Sequence, residues 1–267
     1  MILQVWDAMA VVEQVAAVLK QLAQSEDGMG VMELSQAINL PRSTMSRVLS
    51  QMRSYGLIER DPATQRHRPG LVIAEAARRC GAGQLLADRA EQAMAVFSRE
   101  VGHTTGLVQR NGDEVLEIRA CVGSAPLRVV LPPGDSLPLF SAGTGRALMA
   151  WESDALIRDL WTPQAAGHFE EPPQSLDELM ERIRRIRETG WEASITTSGD
   201  GISGVAVAFE GVETGERLCV YTVFSRLHVD EAERARIAEV LRRAVARVGR
   251  VLGPAIDVTP GAGGAGG

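Results

Sequence analysis

Disulfides, metals and membranes are poorly served by this chain. Its three cysteines, Cys80, Cys121 and Cys219, are far apart and form no CxxC pair, which fits a reducing compartment and gives no disulfide framework. Its four histidines, His67, His103, His168 and His228, show neither HxxxH nor HExxH spacing. Neither a structural zinc nor a metal-dependent hydrolase is expected, and no cofactor is called for. No apolar run approaches the roughly 18 to 20 residues of a membrane span, and the first residues do not open a signal-peptide pattern, so a cytoplasmic protein is expected. No GxSxG elbow occurs. A small hydrolase using a serine near Gly199 to Gly204, such as Ser198 or Ser203, therefore stands only as a competing reading. A DNA-binding protein without a small-molecule input is a further one. No repeat of fixed period is present.

At 267 residues with 45% apolar content the chain can bury a sizeable core, and its charge is unevenly spread. The first 80 residues carry nine Lys/Arg against eight Asp/Glu, the remainder 19 against 26, giving +1 and −7. An acidic body with a locally basic module suits contact with a polyanion at one end.

That module is 31–70. A short helix over 32–37, a turn at Asn39-Leu40-Pro41 and a second helix over 42–54 predict a helix-turn-helix, with proline suited to the start of the second helix. Met45, Val48, Leu49 and Met52 fall at i, i+3, i+4 and i+7 and define its buried stripe. The opposite side carries Arg42, Ser43, Thr44, Ser46, Arg47, Ser50 and Gln51, with Arg53 at the rim and no acidic residue. Hydroxyls, an amide and guanidinium groups are what hydrogen-bond phosphates and base edges. Gly56 stops the helix, and 57–60 with 66–68 around Asp61-Pro62 reads as a wing whose second edge holds Arg66 and Arg68. From Pro41 to Arg68 six arginines against Glu59 and Asp61 give a balance of +4. An ordinary solvated face is the plain alternative; the basic wing favours duplex DNA.

Upstream, Val5, Met9, Val12, Ala16, Leu19 and Ala23 predict an amphipathic helix over about 6–24. Downstream, a helical stretch over 72–86 is interrupted at Gly81-Ala82-Gly83, and a further helix from Leu85 carries Leu86, Ala90, Met94, Phe97 and Val101. The period then changes. Segments 105–109 and 114–119 flank Asn111-Gly112, which predicts a hairpin with a type I′ turn and positive φ at both residues. A strand over 127–131, helices over 141–150 and 176–189, and a strand over 191–197 follow. A second hairpin pairs 203–209 with 217–224, and a last helix is marked by Ile237, Leu241, Ala244, Val248 and Val251. The fold class is α+β: a winged helix-turn-helix (1–80), a linker helix (81–100) and an antiparallel-sheet domain (101–255). A glycine-rich tail (256–267) with nothing to bury is expected to be disordered.

Residues 40–49, LPRSTMSRVL, resemble the recognition-helix motif LPKSTVHRLL of the isocitrate lyase regulator (IclR) type of bacterial transcription factor. LPLFSAGTGRALMA at 137–150 is similar to the family's LPLHATAAGKALLA, and RRIRETG at 184–190 with GISGVAVA at 201–208 gives a third match. Order and spacing hold from about residue 6 to 252. The resemblance implies a GAF-like C-terminal domain that binds a small effector, often a carboxylate or aromatic acid, and assembly as homodimers, frequently dimers of dimers, on an operator in double-stranded DNA. It places the effector pocket on Val129, Leu137, Gly143, Thr144, Ser194, Gly204, Cys219 and Tyr221. The departures sit in that set: Ser194 where many members have Asp or Glu, no cysteine or proline in 201–208, and Cys219 and Tyr221 where serines are common. An effector unlike the small keto acids of some members follows from them.

The residues themselves leave both readings of this pocket open. Ser141-Ala142-Gly143-Thr144-Gly145 can start a helix whose N–H groups receive a carboxylate, or Ser141 can simply cap its own helix. Gly201 and Gly204 can be a tight entry to a strand. Cys219 and Tyr221, two apart on a strand, share a face that is either ligand wall or core.

Overall fold

Met45, Val48, Leu49 and Met52 are all buried, with Val18, Leu22, Leu34 and Ile58 around them. At about 1.5–3 kcal/mol for each large apolar side chain removed from water, this cluster holds the N-terminal part together. The computed structural model describes residues 11–25, 27–79, 82–126, 131–162, 172–195 and 201–256, and the chain divides into two units, Met1–Gly81 and Ala82–Gly267.

The first unit runs α1 (Val11–Ala23), α2 (Val31–Ala37), α3 (Arg42–Ser54), β1 (Ile58–Arg60), β2 (His67–Pro69) and α4 (Leu71–Arg79). Gly56 takes φ +70 directly after α3, a left-handed conformation that ends the helix at little cost for glycine. The antiparallel pair β1 and β2, Ile58 opposite Pro69, is the wing. In α1 the buried face is turned from the expected one: Val18 and Leu22 are buried with Val15 and Leu19 beside them, while Val12, Ala16 and Ala23 are exposed. The helix is apolar around much of its circumference, and the larger Val18 and Leu22 bury more area than alanines.

The second unit runs α5 (Ala82–Val101), β3 (Thr104–Asn111), β4 (Glu114–Cys121), β5 (Ser136–Pro138), α6 (Gly143–Met149), α7 (Asp154–Leu160), α8 (Leu176–Thr189), β6 (Glu192–Ile195), β7 (Ile202–Glu210), β8 (Arg217–Ser225), α9 (Glu231–Ala246) and β9 (Arg250–Val251). The strands form one antiparallel sheet in the order β5-β4-β3-β8-β7-β6, with β9 also on β7. Alternation sends Leu107, Val207, Phe209 and Val220 to one face, under Phe97 of α5 and Ile237 and Leu241 of α9. Val108, Ala206, Ala208 and Cys219 go to the other, under Leu148 of α6 and Leu179 and Ile183 of α8. The sheet is thus the middle of three layers, which is why all nine residues of β7 are buried.

Several expectations are corrected. Helix α5 starts at Ala82 and contains Gly83, and its Leu86, Ala90, Met94 and Phe97 lie in the second unit's core, so it is a packed layer of that unit. The first hairpin closes on Gly112-Asp113, because Asn111 pairs with Glu114; only Gly112 has positive φ, the type II′ pattern. The last helix ends at Ala246, and Val251 belongs to β9 on β7, reached through Gly249, whose Cβ would meet the Glu210 carbonyl oxygen at 2.5 Å. The 14 residues of α8 match the expected span, with Ser175 accepting from the Glu178 N–H and Gly190 at φ +84 closing the end. Most of the expected strand over 127–131 and all of the tail beyond residue 256 lie outside the described residues.

Candidate functional site

In the first unit the turn between α2 and α3 is set by Asn39 at φ +55 and by the Ser35 hydroxyl donating to the Leu40 carbonyl at 2.6 Å. Pro41 is the N-cap of α3, one position before the helix proper. With the apolar stripe buried, Arg42, Ser43, Ser46, Arg47 and Ser50 are exposed and Thr44 is half-buried. Among the described residues Arg42, Arg47 and Arg53 have no acidic partner. A groove of about 290 Å³ between α3 and the wing is lined by Arg42, Ser46, Ser50, Arg53 and Arg60. Arg53 stands at the rim of the helix face in the sequence reading and Arg60 only in a charge balance; the place of Arg60 beside the helix depends on the wing folding back, which no local pattern encodes.

The wing is held in place. Asp61 Oδ1 accepts from the Ala63 and Thr64 N–H groups at 2.8 and 2.7 Å, which keeps its carboxyl below the usual range. His67 exchanges backbone hydrogen bonds with Met29 and is buried, and desolvation lowers its pKa. Arg66 is engaged by Glu33 Oε2 at 2.9 Å and the Gly28 carbonyl at 3.0 Å. It ties the wing to α2, whereas Arg68 is exposed on the strand.

The second unit offers the sheet face beneath α6. Glu192, Ala206, Tyr221 and Gly106 form a continuous row across β6, β7, β8 and β3. Ser194 and Gly204 pair in the next row, the Ser194 Oγ lying 2.9 Å from where a Cβ on Gly204 would be. Small residues here let α6 approach closely, and every residue of α6 is buried. Thr144, 7% exposed, and Gly143 sit in its first turn, and Leu137 packs from β5 against the same cluster. Ser141 is not the cap: Ala142 occupies that position, with no side-chain cap. Instead the Arg146 guanidinium donates to the Phe140 and Ser141 carbonyls at 3.0 and 2.6 Å and to Glu192 at 2.6 Å. This ion pair is buried, and it satisfies carbonyls that a capping side chain would not reach.

Of the expected pocket residues, Leu137, Gly143, Thr144, Ser194, Gly204, Cys219 and Tyr221 share this face, and Val129 lies outside the described residues. Cys219 is fully buried in the apolar cluster with Val108 and Ala208, so its thiol is core, while Tyr221 is half-buried at the edge of that cluster. Sequence reasoning missed Glu117. It is 1% exposed on β4, and its carboxyl oxygen lies 2.5 Å from the position of a Cβ on Gly106, beside the Tyr221 ring. Desolvation raises its pKa to about 8, offset in small part by the Tyr221 hydroxyl and the Leu107 backbone. The hydrolase reading finds no support: Ser203 is buried and donates to the Ser194 carbonyl at 2.8 Å, and Ser198 lies outside the described residues.

Two family models match the chain. The IclR helix-turn-helix domain matches residues 11–62, and the bacterial transcriptional regulator IclR C-terminal domain matches residues 83–250. The regulator XynR of Escherichia coli is 25% identical over 247 residues, covering 91% of this chain and 96% of its own. An IclR transcriptional regulator from Alicyclobacillus acidocaldarius shares the fold with a TM-score of 0.66 at 20% identity, over 89% of this chain and 96% of that one. An IclR homologue from Microbacterium hydrocarbonoxydans, solved with 4-hydroxybenzoate, gives 0.65 at 20% identity over 90% and 98%. No helix among the described residues is long and apolar enough to cross a membrane.

Proposed function

The chain belongs to the IclR family of bacterial transcriptional regulators, and from that premise we propose that it reads its operator with the exposed face of α3 in the major groove and answers to a weak organic or aromatic acid, or an amide, bound on the sheet face beneath α6. The family makes it a DNA-binding regulator with an effector domain, and not an enzyme. The observation that carries the operator reading is the helix face itself: Arg42, Ser43, Ser46, Arg47 and Ser50 exposed, with no acidic residue among them. Arg68 on the wing is assigned to phosphate, and Arg53 and Arg60 join the set because they line the groove beside α3. Arg66, engaged by Glu33, positions the wing.

For the effector, Leu137, Thr144, Ser194, Gly204 and Tyr221 supply a mostly apolar wall with a few hydroxyls, which suits an aromatic body with one polar head. The 4-hydroxybenzoate bound by the Microbacterium homologue is of that chemical class. We assign the working form as a cytoplasmic homodimer, or a dimer of dimers, presenting two wings to a roughly palindromic site.

Gel-shift titrations on an operator and a scrambled duplex test the DNA reading. Arg47→Ala is expected to weaken the operator complex by about 1–3 kcal/mol and to relax base preference, as loss of a bidentate base contact does. Arg68→Ala is expected to weaken both duplexes about equally and to flatten the salt dependence. Unchanged affinity in both variants would remove α3 and the wing from the interface.

A further inference from the structure

One buried carboxyl on the sheet face, that of Glu117, meets only the Tyr221 hydroxyl and the Leu107 backbone, neither of them in good hydrogen-bond geometry. Neither carboxyl oxygen of Glu117 has a well-aligned hydrogen-bond partner among the described residues, although the side chain is 1% exposed. Its neighbours on this face are Val115, two residues before it on β4, and Val108, opposite it on β3. The carboxyl leans over Gly106 against the Tyr221 ring, filling space that any side chain at Gly106 would close. Among the described residues, the other ionisable groups on this face around it are Tyr221 and Cys219 of β8 and, across Ala206 and Tyr221, the Arg146 and Glu192 pair of α6 and β6. That pair is already satisfied by its own contacts. A buried polar group without a well-aligned partner opposes folding, and a site that keeps one is suited to a ligand that supplies the missing hydrogen bonds.

We propose that Glu117 is a specificity-determining residue of the effector pocket, its carboxyl pairing with the amide or carboxyl head of an aromatic effector whose ring packs beside Tyr221. This rests on the effector reading given above and names the group that discriminates among ligands. Burial holds the Glu117 carboxyl protonated at neutral pH, its pKa being about 8, so it presents an O–H donor and a C=O acceptor side by side. That arrangement complements a primary amide, which offers the same two functions in mirror order; a carboxylate accepts from the O–H alone, and an ammonium finds no counter-charge.

The test uses the full-length protein at pH 7, with binding measured by calorimetry and by the shift in melting temperature, and with benzamide, benzoate and benzylamine as probes. Benzamide, benzoate or both are expected to bind the wild type and raise its melting temperature, because a ligand selective for the native state stabilises it. Glu117→Gln keeps a donor beside an acceptor and is expected to bind the same probe within about threefold, whereas Glu117→Leu loses tenfold or more, about 1.4 kcal/mol. Tyr221→Ala separates two failures. If Glu117→Leu binds like the wild type while Tyr221→Ala does not, the pocket stands and Glu117 does not read the ligand. If both variants bind like the wild type, the pocket is elsewhere and the effector reading falls with the proposal. Binding of benzylamine alone, lost in Glu117→Gln, overturns the proposal in favour of a cationic ligand, and binding of none of the three overturns the ligand class.

Discussion

Burial of Glu117 ties the stability of the second unit to pH. Its carboxyl has a raised pKa in the folded state, about 8 against 4.5, so between these values the native protein holds a proton that the unfolded chain releases. The contribution is fully present below about pH 4.5 and is lost as pH rises through about 8, with a slope of up to about 1.4 kcal/mol per pH unit. Glu117→Gln removes that titration. Urea midpoints of the full-length wild type and variant at pH 5, 6, 7 and 8 are therefore expected to diverge, the wild type losing ground to the variant at each step upward. Parallel curves would mean that Glu117 does not titrate in this range. At this scale the sequence told half the story. Alternation placed Cys219 and Tyr221 on one face, but which of them is core depends on how far α6 reaches, and the half-buried Tyr221 and fully buried Cys219 differ by a single row. Glu117 escaped because a Glu in EVLEIR reads as a solvated strand position. It is buried only because helices and loops cover both faces of the sheet, a tertiary fact that period-two reasoning does not contain.

Helix α6 shows the same limit in an element. Its small residues read as a helix start in the sequence, and the structure gives Gly145 a further reason, since a Cβ there would collide with the Leu139 carbonyl oxygen. Its start was misread because the carbonyls before it are served from within the helix by Arg146, whose charge is balanced by Glu192, 46 residues away. By contrast α3 and α8 were legible, because an apolar stripe at helical spacing and, after α3, a glycine that stops the helix are local signals. The Arg146 and Glu192 pair fixes α6 to the edge strand, and its energetics can be separated. Glu192→Ala takes from the buried guanidinium its hydrogen-bonded carboxylate, and is expected to cost about 3–5 kcal/mol in chemical denaturation. Arg146→Met combined with Glu192→Leu removes both charges at similar volume and is expected to recover most of that loss. A loss below about 1 kcal/mol in the single variant would show that the pair does not hold α6 in place.

Over the whole molecule, the sequence reading expects a change of unit at the glycines, because a basic winged module and an acidic sheet unit differ in composition as well as in period, and the compact units divide between Gly81 and Ala82. It did not reveal that the helix after the boundary is structural for the second unit. Leu86, Ala90, Met94 and Phe97 of α5 close the core over Leu107, Val207 and Phe209, so a cut inside α5 would open that core, whereas a cut at its start leaves it whole. Both apolar clusters of this unit are made of residues from Leu86 onward. A fragment of residues 82–256 is therefore expected to unfold cooperatively by itself and to retain the response to any effector that the full chain binds, while having no affinity for operator DNA, since α3 and the wing are absent. If twofold assembly is carried by this unit, as the proposed operator geometry requires, the fragment sediments as a dimer or higher species at micromolar concentration. A cooperatively folded monomer would move the self-association to the first unit and leave the effector reading untouched. A fragment that fails to fold would show that the second unit needs the first, against the closed cores seen here.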